Sequence, residues 1–168
     1  MRRILIIGSG GSGKTTLAKE TATRTGLPLI HLDQLFWHPG WVPTPDEEWD
    51  RQIQELIARD RWIMDGNYGR TLPMRLAAAD TVVFLDLPRV ICIWRILKRR
   101  LRYFGRARPD VAPGCPERFS WEFLRWVWTY PSRRRPRILD RLDAARRGKQ
   151  VFVLQRETEV QGFLEKLS

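Results

Sequence analysis

Residues 2–20 read RRILIIGSGGSGKTTLAKE. Four aliphatic residues, Ile4 to Ile7, end at Gly8. Ser9, Gly10, Gly11 and Ser12 follow, and then Gly13-Lys14-Thr15-Thr16. Glycine loses more backbone freedom on folding than any other residue, so such a stretch needs a geometric reason. The pattern G-x-x-x-x-G-K-[ST], between an apolar strand and a helix, supplies one. With no Cβ in the way, successive backbone N–H groups can turn inward around a phosphate. The helix start adds unpaired donors and the positive end of its dipole. The whole run from Gly8 to Thr16, including Gly10, Gly11 and Ser12, is therefore expected to hold nucleotide phosphates. Lys14 is expected at the β- and γ-phosphates, and Thr15 is expected to place its hydroxyl on Mg²⁺.

Working outward, strand and helix signals alternate. LPLIHLD reads as a second strand, with Pro28 placing it at a sheet edge. TPDEEWDRQIQELIARD reads as a helix with Thr44 as N-cap, Pro45 at its first position and Glu47 closing a capping box. Trp49, Ile53 and Leu56 form its apolar stripe. RWIMD, DTVVFLDLP and KQVFVLQ read as three further strands, the last followed by a short helix carrying Val160, Phe163 and Leu167. Alternation of this kind predicts a parallel sheet covered on both faces. Ligands of such sheets bind beyond the carboxyl ends of the strands, so Gly8, Asp33, Asp65 and Asp86 are expected on one rim.

Those carboxylates have separable expectations. Phosphate-loop enzymes hold Mg²⁺ with a carboxylate at a neighbouring strand end. Asp65, followed by a polar loop, is favoured over Asp86, which precedes Leu87-Pro88 and has the alternative of capping the next helix. Asp33 is read as ending the edge strand, where it can orient or deprotonate an acceptor hydroxyl; an Asx turn is the alternative. Phe36, Trp37 and Trp41 either line an acceptor pocket or anchor their loop. His31 reads as structural.

The charge is uneven. Of a net +11, residues 89–149 hold 18 Lys/Arg against 5 Asp/Glu, a balance of +13. RVICIWRILKRRLRYFGRAR predicts a helix over 89–104. Val90, Trp94, Leu97, Leu101 and Phe104 fall at helical spacing and read as its buried stripe. Arg95, Arg99, Arg102 and Arg106 share another face. Like charges stacked in this way repel, and an anionic ligand relieves them. Guanidinium forks suit phosphate oxygens, and phosphoryl transfer needs cations as charge spreads. The glycine- and proline-rich GRARPDVAPGCPERF reads as part of a mobile lid. The helix after it is expected to bury Trp121, Leu124 and Trp128 and to kink or stop at Tyr130-Pro131. Arg133, Arg134, Arg135 and Arg137 are expected either on nucleotide phosphates or on a nucleic-acid backbone.

At 168 residues and 43% hydrophobic composition the chain suits one globular domain (1–168), with residues 34–60 as an acceptor-side insert and 95–137 as the basic lid and its helices. No apolar run reaches the roughly 18 residues that span a bilayer. ILII is too short for a signal-peptide core, which points to a cytoplasmic protein with no membrane partner. Cys92 and Cys115 match no ligand spacing.

Taken together, GSGGSGKTT, LDQLFWHPGW, DGNYGRTLPMR, FLDLPR, the arginine-rich helix and WTYPSRRRPRIL resemble the bacterial DNA topology modulation protein family. That family is itself similar to adenylate kinase and to other small P-loop kinases. The resemblance implies a three-layer α/β fold, a five-stranded parallel sheet of order 2-3-1-4-5, an arginine lid and ATP as the nucleotide. Adenylate kinases carry D-G-F-P-R after the third strand. Asp65 and Arg70 match its aspartate, which serves Mg²⁺, and its arginine, which holds the acceptor phosphate. DGNYGR lacks the Phe-Pro and adds a residue, which puts AMP specificity in doubt. Asp33 falls where shikimate-type kinases keep an acceptor-binding aspartate.

The leading expectation is an ATP- and Mg²⁺-dependent phosphotransferase. Lys14 with Arg95, Arg99 and Arg102 would neutralise charge, Asp33 would orient a small acceptor, Arg70 and Trp37 would bind it, and Thr15 and Asp65 would serve the metal. A nucleotide-regulated DNA-binding protein, contacting DNA through 95–137, and an NTPase switch are the rivals.

Overall fold

The computed structural model describes residues 1–103, 111–116 and 119–167. Phe104, Arg106 and much of the expected lid lie outside them. The aliphatic run forms β1 (Arg3–Gly8), the middle of a five-stranded sheet. It pairs with β5 (Trp62–Asp65) on one side and β6 (Thr81–Leu85) on the other, both parallel. β2 (Leu29–His31) adds to β5 and β7 (Gln150–Leu154) to β6, again parallel. Counting only these five strands along the chain, the sheet order is second, third, first, fourth, fifth. β2 is an edge strand, as Pro28 requires; the Pro28 carbonyl still accepts from Ile63 N at 2.7 Å.

A buried parallel strand shows apolar residues to both faces. Ile4 and Ile6 join Leu17, Ile63, Val83 and Phe163 on one side, whereas Leu5 and Ile7 join Trp49, Met64, Phe84 and Leu142 on the other. All four β1 side chains are fully buried, at ~1.5–3 kcal/mol each. The helices covering the first face are α1 (Lys14–Thr25) and α8 (Glu157–Glu165). The second face is covered by α3 (Asp46–Ile57), α4 (Leu72–Ala78) and α7 (Arg135–Ala145). α1 stops where expected, on Gly26 at φ 65°, whose N–H bonds Ala22 O at 2.9 Å.

Several local expectations are corrected. No capping box forms at α3: Pro45 is the N-cap, and the buried Thr44 hydroxyl bonds Phe36 O at 2.7 Å instead. That bond ties down the connection made by α2 (Leu32–Phe36) and a small hairpin, β3 (Trp37–His38) with β4 (Val42–Pro43). Asp33 therefore sits in the first turn of α2 and does not end the strand.

The largest correction concerns α5 (Arg89–Arg102). Val90, Trp94, Leu97 and Leu101 are exposed, Leu101 by 82%, and the buried residues are Cys92 and Ile96. These two meet Leu87 and Val127. Residues 92, 95, 96 and 99 lie half a turn from 90, 94, 97 and 101, and both sets obey helical spacing. The arginine-bearing face goes inward because the phosphate loop lies there.

Likewise α6 (Trp121–Arg133) runs through Pro131 and buries Val127 and Tyr130. Trp121 and Trp128 are exposed by 73% and 49%, and Leu124 is half-buried. No helix among the described residues is long and apolar enough to cross a membrane.

Candidate active site

The carboxyl ends of the central strands open on a cavity of about 960 Å³. Residues 10–16 of the loop and helix start line it, whereas Gly8 and Ser9 do not. Gly11 holds φ 76°, and a Cβ there would stand 2.2 Å from Cys92 O, so α5 packs directly on the loop backbone. Gly13, at φ 97°, is the N-cap of α1, and no side chain caps that helix. The first-turn amides, which a helix cannot pair internally, therefore face the loop's concavity uncapped. Lys14 Nζ donates to Ser9 O at 3.0 Å, and Gly8 N donates to Asn67 Oδ1 at 3.1 Å.

Beside the loop, Thr15 Oγ1 donates to Asp65 Oδ2 at 2.8 Å. Asp65 is 5% exposed, and His31 Nδ1 lies 3.3 Å from the same oxygen. A hydroxyl and a carboxylate side by side are the hard oxygen donors that Mg²⁺ takes. The residues thus fit a nucleotide and its metal: the loop amides and Lys14 for phosphates, Thr15 and Asp65 for the ion.

Asp86 goes elsewhere. Both its oxygens accept from Arg135 Nε at 2.8 Å, and Oδ2 also accepts from Gln155 Nε2 at 2.9 Å. It neither caps α5, whose N-cap is Pro88, nor lines the cavity. Arg135, one of the cations expected on phosphate, anchors α7 to the strand end instead.

Of the α5 arginines, the structure brings Arg95 and Arg99 to the cavity but not Arg102, exposed at the helix end. Arg95 Nη1 donates to Ser12 O at 3.1 Å, and Nη2 pairs with Glu157 Oε1 at the start of α8.

A further group of lining residues is aromatic and acidic. Asp33, Trp37, Trp41 and Tyr68 all line it. Tyr68 donates its hydroxyl to Asp33 Oδ1 at 2.6 Å, and Trp37 hydrogen-bonds the same phenol. Burial first, then the neighbouring Asp33 charge, pushes the Tyr68 phenol far above its ordinary range, so it stays protonated and donating. Its ring packs on Phe36 and Trp49, with centroids 4.6 and 5.0 Å away.

Arg70 is not brought to the cavity. It is half-exposed and turned onto α3, with Nη1 on Asp46 at 2.8 Å and Nη2 on Asp50 at 2.8 Å. Each is worth little in water.

Sequence reasoning assigned no role to Tyr68, Asn67, Glu157 or Arg75, and took His31 as structural. Arg75 is fully buried and holds the loop after β5 from below. Its Nη1 donates to Gly66 O at 2.9 Å, its Nη2 to Asn67 O and Tyr68 O at 2.6 and 2.8 Å, and its Nε to Thr71 Oγ1 at 3.2 Å. Burial lowers its pKa to about 10, so it remains charged at neutral pH. Asn67 and Tyr68 were visible in DGNYGR as polar and aromatic residues at a strand end; nothing marked Arg75 as inward.

Solved structures share this architecture. A sugar kinase from a Janibacter species superposes with a TM-score of 0.51 at 20% identity, covering 99% of this chain and 90% of that one. Shikimate kinase from Acinetobacter baumannii, in complex with shikimate, gives 0.58 at 18%, covering 99% and 90%. Shikimate kinase from Bacteroides thetaiotaomicron gives 0.51 at 17%, covering 99% and 95%. The chain has the fold of these P-loop kinases. No family model matches the chain, and no curated protein does. The resemblance to the DNA topology modulation family gains no support from these comparisons.

Proposed function

We propose that the protein is an ATP- and Mg²⁺-dependent phosphotransferase acting on a small hydroxyl acceptor. One observation carries this reading: a phosphate loop with its Thr15–Asp65 pair and a second carboxylate, Asp33, line the same cavity. A nucleotide switch needs only the first. A kinase needs both, one group for phosphates and another for the attacking oxygen.

The loop amides and Lys14 bind the β- and γ-phosphates, and Arg95 and Arg99 face the charge that spreads during transfer. Thr15 and Asp65 would hold Mg²⁺, which would supply neutralisation of phosphate charge. Asp33, fixed by Tyr68, orients the acceptor hydroxyl. The acceptor oxygen bonds to the γ-phosphorus as the bond to the bridging oxygen breaks. ADP leaves, and the hydroxyl proton passes to the Asp33 carboxylate.

DNA contact through 95–137 is the weaker reading, because Arg95 and Arg99 line the cavity and Arg135 is held by Asp86. The test is Mg·ATP calorimetry followed by phosphoryl transfer in wild type and Lys14→Ala. Loss of turnover by about 1,000-fold is expected on removing a phosphate-holding cation; wild-type turnover in the variant would end the proposal.

A further inference from the structure

The short loop after β5 touches both halves of the candidate site. Parallel pairing of β1 with β5 ends at Ile6 opposite Asp65, and Gly66 N–H donates to Ile6 O at 3.3 Å. Backbone groups alternate in direction along a strand, so Gly8 N–H faces the β5 side, one step past the end of the ladder. Asn67 Oδ1 accepts from it at 3.1 Å and stands in for the missing strand. The next residue, Tyr68, donates its hydroxyl to Asp33 Oδ1 at 2.6 Å. Two consecutive side chains thus hold the start of the phosphate loop and the candidate acceptor carboxylate. Their carbonyls share one clamp as well: Arg75 Nη2 donates to Asn67 O at 2.6 Å and to Tyr68 O at 2.8 Å, and Nη1 to Gly66 O at 2.9 Å.

A second, independent observation marks the same loop. Tyr68 holds φ 30°, a region that a bulky residue rarely enters. Gly66 holds φ 151°, and a Cβ there would stand 2.8 Å from Leu32 Cβ. Such strain persists only where the surroundings over-determine it, and it gathers at functional sites. Here the surroundings are the guanidinium below, the Gly8 amide on one side and Asp33 on the other. Thr71 N adds a further bond to Tyr68 O, at 3.1 Å.

We propose that Asn67 is a positioning residue for the phosphate loop and that Arg75 acts through it. The fork fixes the Asn67 carbonyl, the Asn67 amide fixes Gly8, and the same loop sets the spacing between the bound phosphates and Asp33. The use of that spacing rests on the phosphotransferase reading above. Reacting atoms must stand ~3–3.5 Å apart, and a misplacement of roughly 1 Å costs about 100-fold in rate. A loop pinned on both sides holds its shape before ligands arrive, which lowers the ordering cost of binding. Arginine suits the clamp because a rigid fork serves three carbonyls at set angles, which a single ammonium does not.

The test is Mg·ATP calorimetry on the purified full-length chain, on Asn67→Ala, on Arg75→Lys and on the double variant, each checked for folding by circular dichroism. Phosphoryl transfer to D-glucose, shikimate and AMP is followed alongside. Losing one hydrogen bond's worth of order should weaken Mg·ATP about threefold to tenfold in Asn67→Ala. Arg75→Lys keeps the charge and should weaken it to a similar degree. The double variant should bind no worse than the weaker single variant, because both changes release one contact. An Arg75 that only supports the fold would lower Tm and leave the affinity of the folded protein unchanged. Unchanged affinity in Asn67→Ala overturns the proposal, as do effects that multiply in the double variant; transfer by the wild type then still upholds the kinase reading. If Arg75→Lys does not fold, the Asn67→Ala affinity decides. Weakened, non-additive binding without transfer to any acceptor supports the proposal and counts against the kinase reading. No binding of Mg·ATP by the folded wild type ends both.

Discussion

Replacing Arg75 by Met removes a buried ion while keeping most of its length, and its effect can be worked from the contacts. Four charge-assisted hydrogen bonds are lost, to Gly66 O, Asn67 O, Tyr68 O and Thr71 Oγ1. At ~1.5 kcal/mol each they sum to roughly 6 kcal/mol. Holding the ion out of water opposes them; the depression of its pKa from 12.5 to about 10 corresponds to roughly 3 kcal/mol. The net loss is therefore about 3 kcal/mol. For a chain of this size that lowers Tm by ~6–12 °C. Urea unfolding followed by tryptophan fluorescence measures it, as a lower midpoint at unchanged slope. Arg75→Lys should recover only part, since one ammonium cannot span three carbonyls. A loss below about 1 kcal/mol for Arg75→Met would refute the reasoning, because the desolvation cost would then nearly equal the bonds.

Three further outcomes follow from the same geometry. Gly11→Ala puts a Cβ 2.2 Å from Cys92 O at φ 76°. It should cost at least ~1–2 kcal/mol in backbone conformation alone and weaken Mg·ATP binding about tenfold by calorimetry; unchanged affinity would contradict the close approach of α5. Thr44→Val loses the bond to Phe36 O, 2.7 Å, and should destabilise by about 1 kcal/mol in thermal melts, whereas a true helix cap would show its loss in α3 helicity instead. Raising pH above 10 should destabilise the fold. Tyr68 and Tyr130 keep phenolic protons that the unfolded chain releases, so stability falls by up to ~1.4 kcal/mol per unit for each, partly offset by Arg75, whose lowered pKa acts in the opposite sense between about 10 and 12.5. Denaturant midpoints flat between pH 9 and roughly 11 would argue against the buried phenols.

Much of the framework was legible locally. The phosphate loop, the helix that follows it and its stop at Gly26 depend on residues within a few positions of one another. The strand runs and the Trp49, Ile53 and Leu56 stripe carry their own periodicity. Sheet order came from the family resemblance, not from spacing. The acidic residues were harder, because a strand-end carboxylate looks the same whether it faces a ligand or an arginine. Asp65 and Asp86 differ only in what the fold brings near them: Thr15 and His31 to one, Arg135 and Gln155 to the other.

The amino-acid order alone determined the chemistry available: a backbone cradle after Ile7, strands long enough for a buried sheet, and cations crowded into 89–149. Tertiary structure decided how that chemistry is aimed. In α5 both faces have helical spacing, and only contact with the phosphate loop turns Cys92, Arg95, Ile96 and Arg99 inward while Trp94 and Leu101 face out. Arg70 and Arg75, five residues apart, end outside and inside because one meets the α3 carboxylates and the other three stranded carbonyls. Periodicity is a property of one segment, whereas orientation depends on the free energy of segments meeting, and that information is spread over distant residues.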